Sequence, residues 1–136
     1  MLRKWVRRRR ARFMVGVTGV VRDGAGRVLL LKHRFWPEGR QWGLPSGYAN
    51  KGETFEETFA REVREETGLE VRVRRIAHVK SGFQMRMEVA YEAEPVGGTM
   101  RVNSFEILEA GWFDPDDLPD DIQPEHRLLV SHGGRV

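Results

Sequence analysis

The chain has 136 residues, a length suited to one domain built around one hydrophobic core. It holds no cysteine, which excludes disulfides and thiolate metal sites and fits a reducing cytoplasm, the compartment expected for it. No stretch approaches the ~20 apolar residues that a bilayer span requires, and the formal charge of +3 conceals a strong asymmetry.

Residues 1–12, MLRKWVRRRRAR, carry seven basic side chains and no acidic one. The remaining sixteen basic residues face all twenty acidic ones, so the body of the protein is acidic by four. The division expected is therefore a basic arm over 1–12 and a single domain over 13–136. The arm lacks the apolar segment of a secretory signal. In its plainest reading it is a solvated tail. Its charge also suits a weak contact with RNA or another acidic polymer, and Trp5 with Val6 would let part of it pair as an edge strand.

Phe13 to Arg22 reads FMVGVTGVVR, a β-branched run with two glycines where another group can approach closely. Asp23 to Gly26 is turn chemistry, and Arg27 to His33 returns as the second strand of a hairpin. The loop RFWPEGRQ follows. Arginines grip phosphate in a bidentate manner and aromatic rings stack on bases, so Arg34, Arg40 and Trp36 are candidate substrate contacts. Trp36 and Trp42 would alternatively fill the edge of the core. Trp42 to Pro45 forms a short strand that delivers the chain to Ser46 and Gly47.

Thr54 followed by Glu57 predicts a helix start, since the two side chains can each satisfy a free backbone N–H. Gly68 supplies the stop. At ~100° per residue, Phe55, Phe59 and Val63 share the core-facing side. Glu57, Arg61 and Arg64 fall opposite, where Glu57 and Arg61 can pair at i,i+4. Glu62 and Glu66 continue the apolar stripe, with Glu65 beside them. Three carboxylates thus gather at the inward edge with no cation on their stripe. Their mutual repulsion and partial burial cost several kcal/mol unless something neutralises them. A divalent cation, Mg²⁺ or Mn²⁺, is the simplest answer, because hard oxygens suit both.

The run from Gly47 to Leu69 resembles the Nudix box, G-x5-E-x7-R-E-U-x-E-E-x-G-U, where U is bulky and aliphatic. Gly47, Glu53, Arg61, Glu62, Val63, Glu65, Glu66, Gly68 and Leu69 fill all nine specified positions. The resemblance implies an α/β fold, a mixed β-sheet sandwiched between helices. It implies hydrolysis of a nucleoside diphosphate linked to another group X, with Mg²⁺ or Mn²⁺. Glu62, Glu65 and Glu66 would hold the metal together with the Ser46 carbonyl. Glu53 would form a salt bridge with Arg61 that orients the box, while Gly47 would permit the tight path into its loop. Either Glu65 or Glu66 could serve as general base, and homodimers are common in the family. Within it, X could be a sugar, a second nucleotide or a further phosphate. An oxidised-dNTP sanitiser and an RNA 5′ pyrophosphohydrolase are the alternatives, as is a nucleotide sensor that does not cleave. The SQPWPFP-type pattern of the NADH-cleaving members is absent.

Beyond Gly68, Leu69 to Lys80 alternates as a half-exposed strand that Ser81 and Gly82 break. Gln84 to Glu94 alternates again and places Met85, Met87, Val89 and Tyr91 on one core-facing side. Pro95 to Gly98 reads as a turn and Glu106 to Trp112 as a strand. Glu106 lies where many Nudix enzymes carry an additional acid near the metal or base. Asp114-Pro115 predicts a single helical turn. Pro124 opens a last helix through about Val130, and GGRV is expected to fray. The four histidines, His33, His78, His126 and His132, show no ligand spacing, which argues against zinc.

Overall fold

The computed structural model describes residues 10–82 and 84–132. Most of the basic arm, with Trp5 and Val6, and the terminal GGRV lie outside them. The elements in chain order are β1 (Met14–Val21), β2 (Val28–His33), β3 (Trp42–Gly43), β4 (Ser46–Tyr48) and α1 (Phe55–Thr67), then β5 (Leu69–Gly82), β6 (Arg86–Gly98), β7 (Ile107–Phe113) and α2 (Pro124–His132).

The strands form two sheets. One is mixed and four-stranded, in the order β4-β1-β6-β5, with β1 parallel to β6; the other is antiparallel, in the order β3-β2-β7. The Asp23–Gly26 turn is built as its sequence suggests: Asp23 Oδ1 accepts the Ala25 and Arg27 amides at 3.0 and 2.8 Å, and Gly26 takes φ 80°. It does not make a hairpin ladder, however. A single bridge, Arg22 to Val28, joins the two strands before they part into different sheets. Turn chemistry reverses the chain but leaves the choice of partner to distant segments.

Side chains alternating along β2 divide the interior in two. Leu29 and Leu31 enter a cluster with Val17, Val21, Phe59 and Val63, beneath α1. Val28 and Leu30 enter a second cluster with Val20, Leu44, Ile122 and Val130, beneath α2. The result is the expected layering, with strands between two helices. Among the described residues no helix is long and apolar enough to cross a membrane.

Three later expectations are corrected. Pro95 to Gly98 does not turn but continues β6, with Pro95 opposite Val71 at a bulge, where a missing N–H breaks no regular ladder. Met85 precedes the strand with φ 55° and is half exposed, so the core-facing stripe comprises Val89 and Tyr91 with Met87 partly covered. The Asp114–Pro119 stretch forms turns rather than helix, because Asp114 Oδ1 accepts the Asp116 amide at 2.8 Å and the chain does not continue the spiral. Beyond Val73, β5 is exposed on both faces as a sheet edge. Three register shifts and a row of basic residues deter a foreign strand from pairing with it.

Candidate active site

Helix α1 begins and ends as its caps require. Thr54 Oγ1 accepts the Glu57 amide at 3.1 Å, Glu57 Oε1 accepts the Thr54 amide at 3.2 Å, and Gly68 closes the helix with φ 76°. Phe59 and Val63 are fully buried, and one turn further on so is Glu66, at 5% exposure. Each turn of that stripe carries the chain from hydrocarbon toward carboxylate.

Arg61 does not pair with Glu57, whose carboxylate is occupied at the cap. Its guanidinium instead reaches back into the preceding loop and makes a two-pronged bond to Glu53, Nε to Oε2 at 2.7 Å and Nη2 to Oε1 at 3.1 Å. Nη1 binds Glu62 Oε1 at 3.0 Å and Glu65 Oε2 at 3.2 Å. The stripe therefore has a cation at its outer side after all. A three-carbon stem carries the charge well beyond the sector that the helix backbone assigns to it. Arg61 holds the Glu53 carboxyl below its ordinary range, and Thr58 Oγ1 adds a bond to the same group at 3.1 Å.

A cavity of about 500 Å³ opens beside the helix. Glu62, Glu66 and Glu106 line it, with Ser46 and Gly47 from β4 and Trp36 from the loop after β2. Burial first, then the charges of Glu62 and Glu106, push the Glu66 carboxyl up to about 8. Burial also raises Glu62, against the pull of Arg61. Glu66 Oε1 is buried with no hydrogen-bond partner among the described residues. Glu65 stands apart, its side chain 57% exposed and bound to Arg61. Among the described residues, no three acidic or imidazole groups stand at ligating distance from a common point. The acids thus offer part of a coordination shell, which suits a hard cation that takes its other ligands from backbone, water and phosphate.

Gly47 has no side chain where Glu62 needs room: a Cβ there would lie 2.5 Å from Glu62 Cγ and 2.7 Å from Oε1. The Ser46 hydroxyl is engaged internally with Thr18 Oγ1 at 2.9 Å and the Leu44 carbonyl at 3.1 Å. Arg34 and Arg40 do not line the cavity. Arg34 Nε donates to the Phe105 carbonyl at 2.8 Å and its guanidinium lies over the Phe105 ring, while the Arg40 side chain is exposed. Trp42 packs edge-on against Phe113 in the second core.

Two histidines that lie far apart in the chain converge on this cavity. The His33 ring stacks on Trp36 with centroids 3.4 Å apart, and Trp36 meets His126 edge-on at 5.6 Å. His126 Nδ1 accepts the Leu44 amide at 3.0 Å. Burial holds both imidazoles down to about 4, so both are neutral near pH 7. Arg86 and Tyr48 line the same space. None of these four carried a local signal, since the pairing of distant strands and α2 brings them together.

A family model for the NUDIX domain matches residues 12–132. Over 103 residues the chain is 40% identical to the NAD-capped RNA hydrolase NudC of Mycobacterium tuberculosis, covering 73% of this chain and 32% of that protein. It thus spans about a third of the length of that relative. A MutT NUDIX hydrolase from Burkholderia pseudomallei superposes with a TM-score of 0.71 at 28% identity, covering 88% of this chain and 97% of that one. For a NUDIX hydrolase from Nitrosomonas europaea the TM-score is 0.77 at 25% identity, over 88% and 68% of the two chains. With its box complete and its sheets layered as in these structures, the chain belongs to the NUDIX domain family.

Proposed function

We propose that this protein hydrolyses the diphosphate link between a nucleoside and a second group, with Mg²⁺ or Mn²⁺ as its metal. The observation that carries this reading is the buried Glu66 carboxyl, one oxygen of which has no partner among the described residues, in the lining of a cavity shared with Glu62 and Glu106. Burying carboxylates together is costly without a counter-charge. Glu62 and Glu66, with the Ser46 carbonyl, would hold the cation; Glu65 would join them on releasing Arg61. When bound, such a cation screens the diphosphate and makes water more acidic.

The chain's own residues supply the rest. Glu53 and Arg61 tie the middle of α1 to the loop that precedes it, so the carboxylates keep their positions. Of the two glutamates that the sequence leaves open as general base, Glu66 lines the cavity and Glu65 does not. A water oxygen bonds to one phosphorus as its proton passes to a carboxylate, and the anhydride P–O bond to the other phosphate breaks. The products are a nucleoside monophosphate and phosphorylated X, or pyrophosphate when the substrate is a triphosphate.

The likeness to NAD-capped RNA hydrolases supports a second reading, an RNA 5′ end as the substrate. The basic residues of the arm favour it and the missing SQPWPFP-type pattern does not. A panel of nucleotide sugars, dinucleotides, ordinary and oxidised dNTPs, triphosphorylated RNA and NAD-capped RNA separates these readings, with each metal in turn. Glu66→Gln is the control and loses most turnover with the fold intact. Near-normal kcat in that variant would overturn the assignment, and nucleotide binding without any product would make the protein a sensor.

A further inference from the structure

The cavity is acidic, yet one cation stands in its lining among the described residues: Arg86. Strand register explains its position. Val17 pairs with Gly47, and this pair turns toward α1, where Val17 packs with Phe59 and Glu62 fills the space at Gly47. The neighbouring pair, Gly16 with Tyr48, therefore presents the opposite face of the sheet. Glu88 pairs with Gly16, and Arg86, two residues earlier on β6, shares that face. Because β4 is the edge of its sheet, one cavity reaches both faces around it.

Arg86, its side chain half exposed, lies between a ring and a carboxylate. Its guanidinium carbon lies 5.4 Å from the centroid of the Tyr48 ring, and its Nε lies 3.3 Å from Glu88 Oε1. One Nη passes over Gly16, 3.9 Å from where a Cβ would stand, so the group lies low across β1. Ring and carboxylate flank the guanidinium, and neither Nη makes a hydrogen bond among the described residues. A guanidinium posed in this way offers paired N–H groups to a phosphate.

We infer that Arg86, backed by Tyr48, forms an anion subsite for a phosphate of the substrate outside the bond that is cleaved. The inference rests on the diphosphate-hydrolase reading for the identity of the substrate. Bound this way, a nucleotide spans the β4 edge, with its diphosphate at the Glu62–Glu66 end and a further phosphate on Arg86. The subsite favours nucleotides phosphorylated at a second place on the ribose, or extended through a phosphodiester there.

Calorimetry tests this on the full chain. The probes are the 5′-monophosphates and 3′,5′-bisphosphates of adenosine, guanosine, cytidine and uridine. The parent should hold at least one bisphosphate about tenfold tighter than its monophosphate, as one charge-assisted pair would give. Arg86→Gln should erase that preference, Arg86→Lys should retain part of it, and Tyr48→Leu should weaken it. In turnover, Arg86→Gln should raise KM for a doubly phosphorylated substrate far more than it lowers kcat. No preference in the parent for any of the four pairs would overturn the subsite. So would a preference that survives Arg86→Gln with thermal stability unchanged. Should no diphosphate be hydrolysed while the binding preference holds, the functional reading fails and the subsite stands.

Discussion

Gly47 and Glu62 occupy one space: the atom that glycine lacks is where the glutamate side chain passes, 2.5 Å from its Cγ. In Gly47→Ala the neighbour that yields is the far part of a flexible side chain rather than backbone. The fold should survive while the carboxylate moves. A displacement near 1 Å costs on the order of a hundredfold in rate. The expected result is a kcat lower by one to two orders of magnitude, with a melting temperature within a few degrees of the parent. Unchanged kcat would remove Glu62 from the machinery.

Arg61 ties three carboxylates to one guanidinium, and the paired geometry to Glu53 requires its planar fork. Lysine keeps the charge and loses the fork. Arg61→Lys should therefore lower kcat by about tenfold to a hundredfold with KM little changed, as measured on whichever diphosphate the panel identifies. Glu53→Gln should fall in the same direction by less, because one oxygen still accepts.

The buried Gly19 lies under the Phe59 ring, where a Cβ would come within 2.5 Å of Cζ. Overpacking of this kind costs about 1–3 kcal/mol, so Gly19→Ala should show a lower urea midpoint at unchanged m-value. Phe59→Leu made in the same chain should recover part of that loss. A strictly additive double mutant would mean that the strand, not the ring, carries the strain.

Helix α1 was legible residue by residue because its information is local: a capping pair, a terminating glycine and one apolar stripe. The close approach at Gly19 was legible in part, since a glycine in a β-branched run marks a tight contact without naming it. The helix wheel alone sends Arg61 to Glu57, because a wheel places only Cβ atoms; the family resemblance supplies the salt bridge to Glu53, eight residues earlier, that the structure makes. The sheet assignment of β1 and β2 escaped. β1 takes as its partner β6, some seventy residues away, and no turn sequence encodes that choice. The same non-local pairing assembles His33, Trp36 and His126 from segments that each look ordinary.

The two buried histidines set an acid limit. Their folded values near 4 lie below the ordinary 6.5, so between these values the unfolded chain binds more protons and stability falls as pH falls. Each contributes at most about 3 kcal/mol across that window. Glu66, raised to about 8, acts with the opposite sign over part of the same range. The informative measurement is therefore a difference, in which His33→Phe shows a shallower loss of unfolding free energy than the parent from pH 6.5 to 4. Parallel curves would mean that the His33 ring is already charged in the folded state.

The β5–β6 ribbon turns just before Arg86, at the end of β6 that pairs with Met14 of β1, whereas Glu62 and Glu66 ride on a capped helix rooted in the core. The proposed grip and the proposed cutting site thus hang from parts with very different tolerance for insertion. A hairpin end can lengthen, shorten or change its charges without disturbing the packing beneath α1. Descendants of this chain could acquire new diets by editing a few residues at that tip, and the carboxylates of α1 would pass through such changes untouched.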